Sequence, residues 1–236
     1  RVAVLVEVNI GNARCGVEPL EKTLAFVKKI SDLPGIQFRG VMGYDGHLAF
    51  HENQDEKFNL STTAYQKLVD TADLLRSNGI SVEIVSGGGT STYKSASSLP
   101  GLTEIQCGTY IFSDTTYRDN GLSEFDCALT LLTTVISRPD RPGAEDLAIL
   151  DIGTKGCSTI YGYPEVKSPE GTVYSMPQEH SRLRMTKPGD WLKVGDHVEL
   201  RVKDANGTLN LYDQIYCMRG DLVEAVWDIP GRGKIT

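Results

Sequence analysis

Ser86-Gly87-Gly88-Gly89-Thr90-Ser91-Thr92-Tyr93 follows directly on a short apolar run at Ser81–Val85. The run predicts a buried strand, and the three glycines predict a tight turn at its carboxyl end. Consecutive glycines allow backbone N–H groups to point towards an anion, and the Ser and Thr hydroxyls add further donors. On this stretch alone, a phosphate-binding loop and a plain flexible turn both remain open, because glycine-rich loops are common.

Strands and helices alternate on both sides of this loop in the N-terminal half of the chain. Val2–Val8 and Phe38–Met42 predict strands, and Pro19–Ile30 and Thr62–Ser77 show helical spacing. The near-continuous apolar run Val2–Val8 is typical of a strand buried on both faces of a parallel sheet. The pattern predicts parallel βα units, as in TIM barrels or open doubly wound sheets. With Thr103–Ile111 as a further strand, only about half the strands of a closed barrel are present.

The C-terminal half has a different pattern, of short strands without helices between them. Glycines and prolines separate apolar runs at Ala128–Ile136, Leu147–Asp151, His197–Val202 and Leu222–Trp227. This punctuation predicts an antiparallel β domain. We therefore predict two domains, residues 1–124 and 125–236.

Several chemically useful side chains follow the first two predicted strands. Arg14, in Gly11-Asn12-Ala13-Arg14-Cys15-Gly16, follows the first strand, and Tyr44 and His47 follow the second. Carboxyl ends of parallel strands meet at one edge, so these side chains are expected beside the glycine loop. Arg14 could hold a phenolate or carboxylate, or form a surface salt bridge with Glu18 or Glu21. Cys15 is expected to be a packed thiol.

Two further places carry candidate ligands. Gly108 and Tyr110 are predicted to lie in the fourth strand, where a glycine indicates close approach to a ligand or to another strand. Asp204 and Asn206 are two residues apart at a predicted strand end, so their oxygens could hold a hard cation. The alternative for Asp204-Ala205-Asn206-Gly207 is a hairpin turn, which this tetrapeptide favours.

Composition restricts the classes of partner. The net charge of −7 disfavours nucleic acid, and no apolar run approaches the ~20 residues of a membrane helix. The five cysteines include no C-x-x-C pair, which favours reduced thiols and a cytoplasmic location. The expected partners are a small molecule and, within an assembly, a second copy of the chain or a complementary N-terminal fragment.

Taken together, these motifs resemble one family over essentially the whole chain. Val6-Glu7-Val8-Asn9-Ile10-Gly11 with Arg14-Cys15-Gly16-Val17 resembles its arginine loop, and Ser86-Gly87-Gly88-Gly89-Thr90 its phosphate loop. Gln106-Cys107-Gly108-Thr109-Tyr110 resembles its last barrel strand, and Val226-Trp227-Asp228-Ile229-Pro230-Gly231 its C-terminal domain. The family is the fold-type III pyridoxal-phosphate (PLP) enzymes that include D-threonine aldolase, 3-hydroxy-D-aspartate aldolase and D-serine dehydratase.

The resemblance implies a fold and an activity. The fold is α/β: part of a PLP-binding (β/α)8 TIM-like barrel followed by an antiparallel β domain. The activity is that of a lyase that cleaves a D-configured β-hydroxy amino acid to glycine and an aldehyde. The alternatives are dehydration and deamination to a keto acid, or non-catalytic binding of PLP or phosphate.

The resemblance also implies roles for individual residues: Arg14 would be catalytic at the phenolic oxygen of PLP and Tyr44 at its ring edge. His47 is a further catalytic candidate because it follows the second strand at the same edge; the alternative is a structural histidine. The residues implied around the cofactor phosphate are Ser86, Gly87, Gly88, Gly89, Thr90, Gly108 and Tyr110. The family's metal pair falls on Asp204 and Asn206, where two oxygen ligands favour magnesium or manganese over zinc.

One family feature has no counterpart in this sequence. The lysine that binds PLP covalently belongs to an early barrel strand, and the first four strands of the family are not matched here. The sequence also opens at Arg1, inside an apolar run. These observations predict that the 236 residues are a fragment of a longer folded chain.

Overall fold

The computed structural model describes residues 1–186 and 192–234 and divides the chain into two compact units. The first unit contains Arg1–Tyr110 and Asn120–Leu122, and the second contains Ile111–Asp119 and the residues from Ser123 onward. None of the helices in these described ranges is long and apolar enough to cross a membrane.

The first unit is built on a four-stranded parallel sheet whose strands are neighbours in chain order. The strands are β1 (Val2–Glu7), β2 (Ile36–Met42), β3 (Ile84–Gly87) and β4 (Glu104–Ile105). Three helices connect them: α1 (Glu21–Ser31), α2 (Gln54–Ser77) and α3 (Tyr93–Ser98). The alternation predicted from the sequence is confirmed, since each strand is followed by its crossover segment and the next parallel strand.

The core of this unit lies between one face of the sheet and the helices. Val41 of β2 and Val85 of β3 are fully buried there against Tyr65 and Leu68 of α2. Helix α2 begins eight residues earlier than its apolar spacing predicts, because the Asn53 side chain caps it by accepting the Glu56 N–H at 3.1 Å.

Strand β1 differs from its sequence-based prediction. A strand buried on both faces was expected, yet Val2 is 68% exposed. Within the described residues β1 pairs only with β2, so it forms an edge of the sheet. Continuous apolar character identified the strand, but the number of neighbouring strands determines how much of it is covered.

The predicted fourth strand is also shorter than expected. Strand β4 contains only Glu104 and Ile105, and a 3-10 turn occupies Thr109–Ile111. Gly108 and Tyr110 are therefore in a loop and not in a strand. The N–H groups of both residues donate to the Thr90 hydroxyl oxygen, so they are not available for a β ladder.

The second unit contains a closed antiparallel barrel in the order β10-β5-β6-β9-β8-β7. Its strands are β5 (Thr130–Ser137), β6 (Leu147–Leu150), β7 (Glu165–Ser168), β8 (Gly171–Ser175), β9 (Ser181–Met185) and β10 (His197–Arg201). The inside is filled by buried apolar side chains such as Val135, Leu150, Leu183 and Leu200. The predicted antiparallel β domain is confirmed as an architecture.

Smaller elements complete the second unit. They are α4 (Thr115–Asp119), α5 (Ala205–Leu209) and a two-stranded hairpin of β11 (Gln214–Arg219) and β12 (Leu222–Asp228). The hairpin leaves several large apolar side chains exposed, among them Tyr216, Met218, Leu222 and Trp227.

Candidate functional site

The carboxyl ends of β1, β2 and β3 bring three sequence-predicted residues together. The guanidinium carbon of Arg14 lies 5.1 Å from the centroid of the Tyr44 ring, a cation–π distance. A Cβ placed on Gly89 would lie 3.4 Å from Cε2 of the same ring. The arginine loop, Tyr44 and the glycine loop thus form one contiguous surface, as the shared edge of a parallel sheet predicts.

The arginine loop is shaped by Asn9. The Asn9 side-chain oxygen accepts the N–H groups of Gly11 and Ala13 at 3.2 and 3.0 Å, which bends the chain after β1. Its amide nitrogen donates to Glu18 at 2.9 Å. The Glu18 carboxylate is therefore engaged by Asn9, while Arg14 lies over Tyr44.

His47 lies at the same edge. A side chain at Gly11 would lie 3.1 Å from the His47 ring, so the imidazole rests directly against the backbone of the arginine loop. The ring is exposed to solvent. It is thus accessible to a small molecule bound beside Arg14 and Tyr44.

The glycine loop does not present its N–H groups as the sequence suggested. Gly88 has φ +81, a conformation that favours glycine, and its N–H donates to the Tyr65 hydroxyl at 2.7 Å. The Gly89 N–H donates to the Thr92 hydroxyl at 3.3 Å. Both groups are directed into the protein. They are engaged internally, so phosphate donors must come from other atoms.

Such donors converge on Thr90. The N–H groups of Gly108 and Tyr110 donate to the Thr90 hydroxyl oxygen at 3.3 and 3.2 Å. A Cβ placed on Gly108 would meet no atom within 4 Å, so open space lies beside this residue. Both N–H groups are satisfied by the Thr90 oxygen in this structure, so a phosphate would enter the open space beside Gly108 and take over these donors from Thr90. With that exchange, two backbone donors, the Thr90 hydroxyl and the open space fit the phosphate group of PLP.

Ser86 lies outside this convergence. Together with Gly87 it ends strand β3, and its hydroxyl donates to Glu104 at 2.5 Å and accepts from the Gln106 amide at 2.7 Å. The hydroxyl thus links β3 to the chain around β4. The serine assigned to the phosphate by resemblance is fully buried and already hydrogen-bonded within the sheet.

Sequence reasoning missed a buried polar network beneath the glycine loop. Asp45 is 1% exposed. Its carboxylate accepts hydrogen bonds from the hydroxyls of Tyr65 at 2.6 Å, Ser61 at 2.7 Å and Thr92 at 3.0 Å. Burial, and secondly the Asp45 carboxylate, raise the pKa of Tyr65 above its ordinary value, so the phenol keeps its proton. A polar hydroxyl on the buried face of α2 was the only signal in the sequence. The helical spacing of Thr62–Ser77 alone makes Tyr65 a core residue.

The predicted cation pair is a helix cap. Asp204 precedes α5 and accepts the Gly207 N–H at 3.0 Å on one oxygen and the Ser158 hydroxyl at 2.6 Å on the other. Asn206 lies exposed in the first turn of α5. Both the strand end and the hairpin turn were therefore wrong as local structures. An Asp side chain that accepts the N–H three residues further on satisfies a helix N-terminus equally well.

The described residues offer no ready metal site. In residues 1–186 and 192–234, no group of three or more His, Cys, Asp or Glu side chains is arranged to hold a metal ion.

The prediction that Cys15 is a packed thiol was wrong. Cys15 is exposed in the arginine loop, whereas Cys157 is buried.

Two family descriptions match this chain. Residues 1–116 match "Alanine racemase, N-terminal domain", and residues 128–218 match "Putative serine dehydratase domain". A D-threonine aldolase from Arthrobacter sp is 32% identical over 99% of this chain and 62% of its own length. A 3-hydroxy-D-aspartate aldolase from Paracoccus denitrificans (strain Pd 1222) is 30% identical over 99% and 61%. The chain thus spans about three fifths of the curated relatives it matches.

Solved structures agree with these sequence relatives. The crystal structure of D-threonine aldolase from Filomicrobium marinum superposes with a TM-score of 0.92 at 26% identity, covering 99% of this chain and 64% of that one. D-threo-3-hydroxyaspartate dehydratase from Delftia sp. HT23 has a TM-score of 0.82 at 24% identity, a likeness of fold.

Proposed function

Because the chain belongs to the fold-type III PLP family, we propose that it forms the PLP-phosphate-binding part of a lyase that cleaves D-configured β-hydroxy amino acids. The products would be glycine and an aldehyde. The observation that carries the proposal is the surface formed by Arg14, Tyr44 and the glycine loop, with the Gly108 and Tyr110 N–H groups converging on Thr90. The aldolase relatives, at 30–32% identity, support the substrate class.

Each residue has a proposed role. Thr90, Gly108 and Tyr110 bind the phosphate in the open space beside Gly108. Arg14 orients the phenolic oxygen with its permanent positive charge, and Tyr44 lies at the ring edge. When bound, PLP supplies an electron sink for the bond that breaks at Cα. The lysine that would bind PLP covalently is assigned to no residue of this sequence.

His47 is the proposed base. Retro-aldol cleavage removes the proton of the β-hydroxyl, the C–O bond becomes a carbonyl, and the Cα–Cβ pair of electrons remains on Cα. Protonation of Cα then gives glycine. His47 is exposed at the site edge, and its imidazole is proposed to accept that proton.

The proposal includes a divalent cation only as a weakly bound ion at Asp204. Asp204 already accepts two hydrogen bonds, so a magnesium or manganese ion would compete with the cap of α5. Metal analysis of dialysed protein that finds stoichiometric metal, lost in Asp204→Asn, would show that this pair is a true site.

Turnover of D-threonine tests the function. We expect the full-length protein to show the absorption band of bound PLP and to release acetaldehyde and glycine from D-threonine. His47→Gln is expected to keep the band and lose at least about a hundredfold in kcat. Absence of the band in the wild-type protein would exclude PLP binding. A band without turnover of D-threonine, D-serine or 3-hydroxy-D-aspartate would leave a non-catalytic binding protein.

A dehydratase is the second candidate function. Residues 128–218 match the serine dehydratase description, and a D-threo-3-hydroxyaspartate dehydratase from Delftia sp. (strain HT23) is 30% identical over 71% of this chain. Release of ammonia and a keto acid in place of glycine would identify this reaction. The proposed small-molecule partner, a D-amino acid, is common to both candidates, as are an assembly of two copies and a cytoplasmic location.

A further inference from the structure

A buried carboxylate lies behind the glycine loop and reaches it by two routes. Along the first, the Gly88 N–H donates to the Tyr65 hydroxyl, which donates to Asp45 Oδ1. Along the second, the Gly89 N–H donates to the Thr92 hydroxyl, which donates to the same Asp45 oxygen. The N–H groups of Gly88 and Gly89 are thus each connected to Asp45 Oδ1 through one hydroxyl group.

The other side of the loop is tied as well. The Gly87 carbonyl accepts the Gln106 N–H at 2.9 Å, and the Gly89 carbonyl accepts the Thr92 N–H at 3.1 Å. The peptide group between Gly87 and Gly88 is therefore fixed at both its N–H and its C=O. A loop of three glycines would otherwise be the most mobile segment of the unit.

The carboxylate is itself held firmly. Its second oxygen, Oδ2, accepts the Ser61 hydroxyl of α2, and Ser61 accepts in turn from the Ser95 hydroxyl of α3. Asp45, Tyr65, Thr92, Ser61 and Ser95 are all buried. Such a network is costly unless every member is satisfied, and a satisfied network specifies one geometry.

We propose that Asp45 is a positioning residue that fixes the glycine loop in its phosphate-binding conformation through the hydroxyls of Tyr65 and Thr92. The inference rests on the proposed function, since it takes the ligand of the loop to be the cofactor phosphate. Asp45 and Tyr65 are both buried behind the loop, so neither is proposed as a ligand of the cofactor. Their effect is to keep Thr90 aligned with the N–H groups of Gly108 and Tyr110 before the phosphate arrives, which lowers the ordering cost of binding.

Two hydroxyl deletions and a matched control test this role. Tyr65→Phe and Thr92→Val each break one route, and Thr92→Ser keeps the second route intact. Thr71→Val is the control: Thr71 lies on the same helix, is 0% exposed, and uses its hydroxyl to accept the Leu20 N–H at 3.1 Å, away from the loop.

The first measurement is hydrogen exchange of the loop amides in PLP-free protein. We expect exchange at Gly88 to accelerate about tenfold or more in Tyr65→Phe, and exchange at Gly89 in Thr92→Val, since each loses a hydrogen bond worth roughly that factor. Thr71→Val and Thr92→Ser should leave both rates unchanged. Equal exchange in all variants would overturn the proposal, whatever the protein binds.

The second measurement is the dissociation constant of PLP, read from its absorption band. Tyr65→Phe and Thr92→Val should weaken binding about tenfold or more, and Thr92→Ser should restore it. If the wild type binds PLP and both deletions bind equally well, the positioning role is wrong while the proposed function stands. If the wild type binds no PLP, the proposed function fails, and the exchange rates alone decide whether the Tyr65 and Thr92 hydroxyls, which connect Asp45 to the loop, hold it in place. If Tyr65→Phe does not fold, the comparison of Thr92→Val with Thr92→Ser tests the positioning role by the same two measurements.

Discussion

At the scale of single residues, the sequence located the site through strand ends. Arg14 and Tyr44 were predicted to be neighbours because carboxyl ends of parallel strands share an edge, and their cation–π contact agrees with that. Tyr65 could not be found in this way. Its contact with Asp45 depends on how α2 packs on the sheet, and spacing alone makes Tyr65 an ordinary core residue.

Gly108 offers the sharpest test of the phosphate position. Because a Cβ there would meet no atom within 4 Å, Gly108→Val should fold normally yet occupy the space left for the phosphate. We expect the dissociation constant of PLP to rise at least about tenfold, with an unchanged melting temperature. Gly231→Val is the control, since a Cβ at Gly231 is equally free of neighbours. Full PLP affinity in Gly108→Val would place the phosphate elsewhere.

A second prediction at this scale concerns the reactivity of two cysteines. Burial raises the pKa of the Cys157 thiol to about 11, and the residue is inaccessible, so it should not react with a thiol reagent at pH 8. Cys15 is exposed beside Arg14 and should react. Mass spectrometry after brief labelling identifies the site. Protection of Cys15 by PLP would add support for a cofactor at the arginine loop, whereas modification of Cys157 in folded protein would contradict its burial.

At the scale of elements, apolar runs predicted strands well where they were long. Strands β1, β2 and β5 all lie close to their predicted positions. Strands β7, β8 and β9 were missed because their outward residues are charged or small, as with Arg182 and Arg184 in β9, which leaves too few apolar positions to recognise. Helix α5 was missed because its first residues also favour a turn.

Substitutions of Asp204, which precedes α5, test whether this residue caps the helix or binds a metal ion. Asp204→Ala should lower the free energy of unfolding by about 1–2 kcal/mol, because the Gly207 N–H loses its acceptor. Asp204→Asn should keep most of the stability, since Asn caps helices as well as Asp does and only the hydrogen bond donated by the Ser158 hydroxyl to the second Asp204 oxygen is lost. Urea unfolding measures both. A large loss of stability in Asp204→Asn, together with stabilisation of the wild type by magnesium, would indicate a cation instead.

At the scale of the whole molecule, the predicted architecture is confirmed: a parallel βα half and an antiparallel β half of an alanine-racemase-like fold. The order of strands in the barrel of the second unit could not be predicted. It depends on pairings between distant segments, such as β5 with β10, for which the sequence carries no local signal.

The exposed edge of β1 predicts the behaviour of the isolated chain. Unpaired strand edges with apolar side chains recruit other strands, so the 236-residue chain expressed alone should self-associate or bind a complementary piece. Val2→Lys should reduce the association if the edge causes it, and Met218→Lys should do so if the exposed hairpin does. Sedimentation velocity distinguishes these cases. A monodisperse monomer of the unmodified chain would contradict the prediction.

The closed barrel of the second unit has a consequence for synthesis on the ribosome. Its first strand, β5, is completed against β10, with Thr130 opposite Arg201, so closure must wait until most of the unit has been made. The first unit has no such delay, since each strand pairs with the next one made. Contacts between distant segments slow folding, because a long loop must be ordered before the contacts form. We therefore expect the nascent chain to form its glycine loop while the barrel strands are still unpaired.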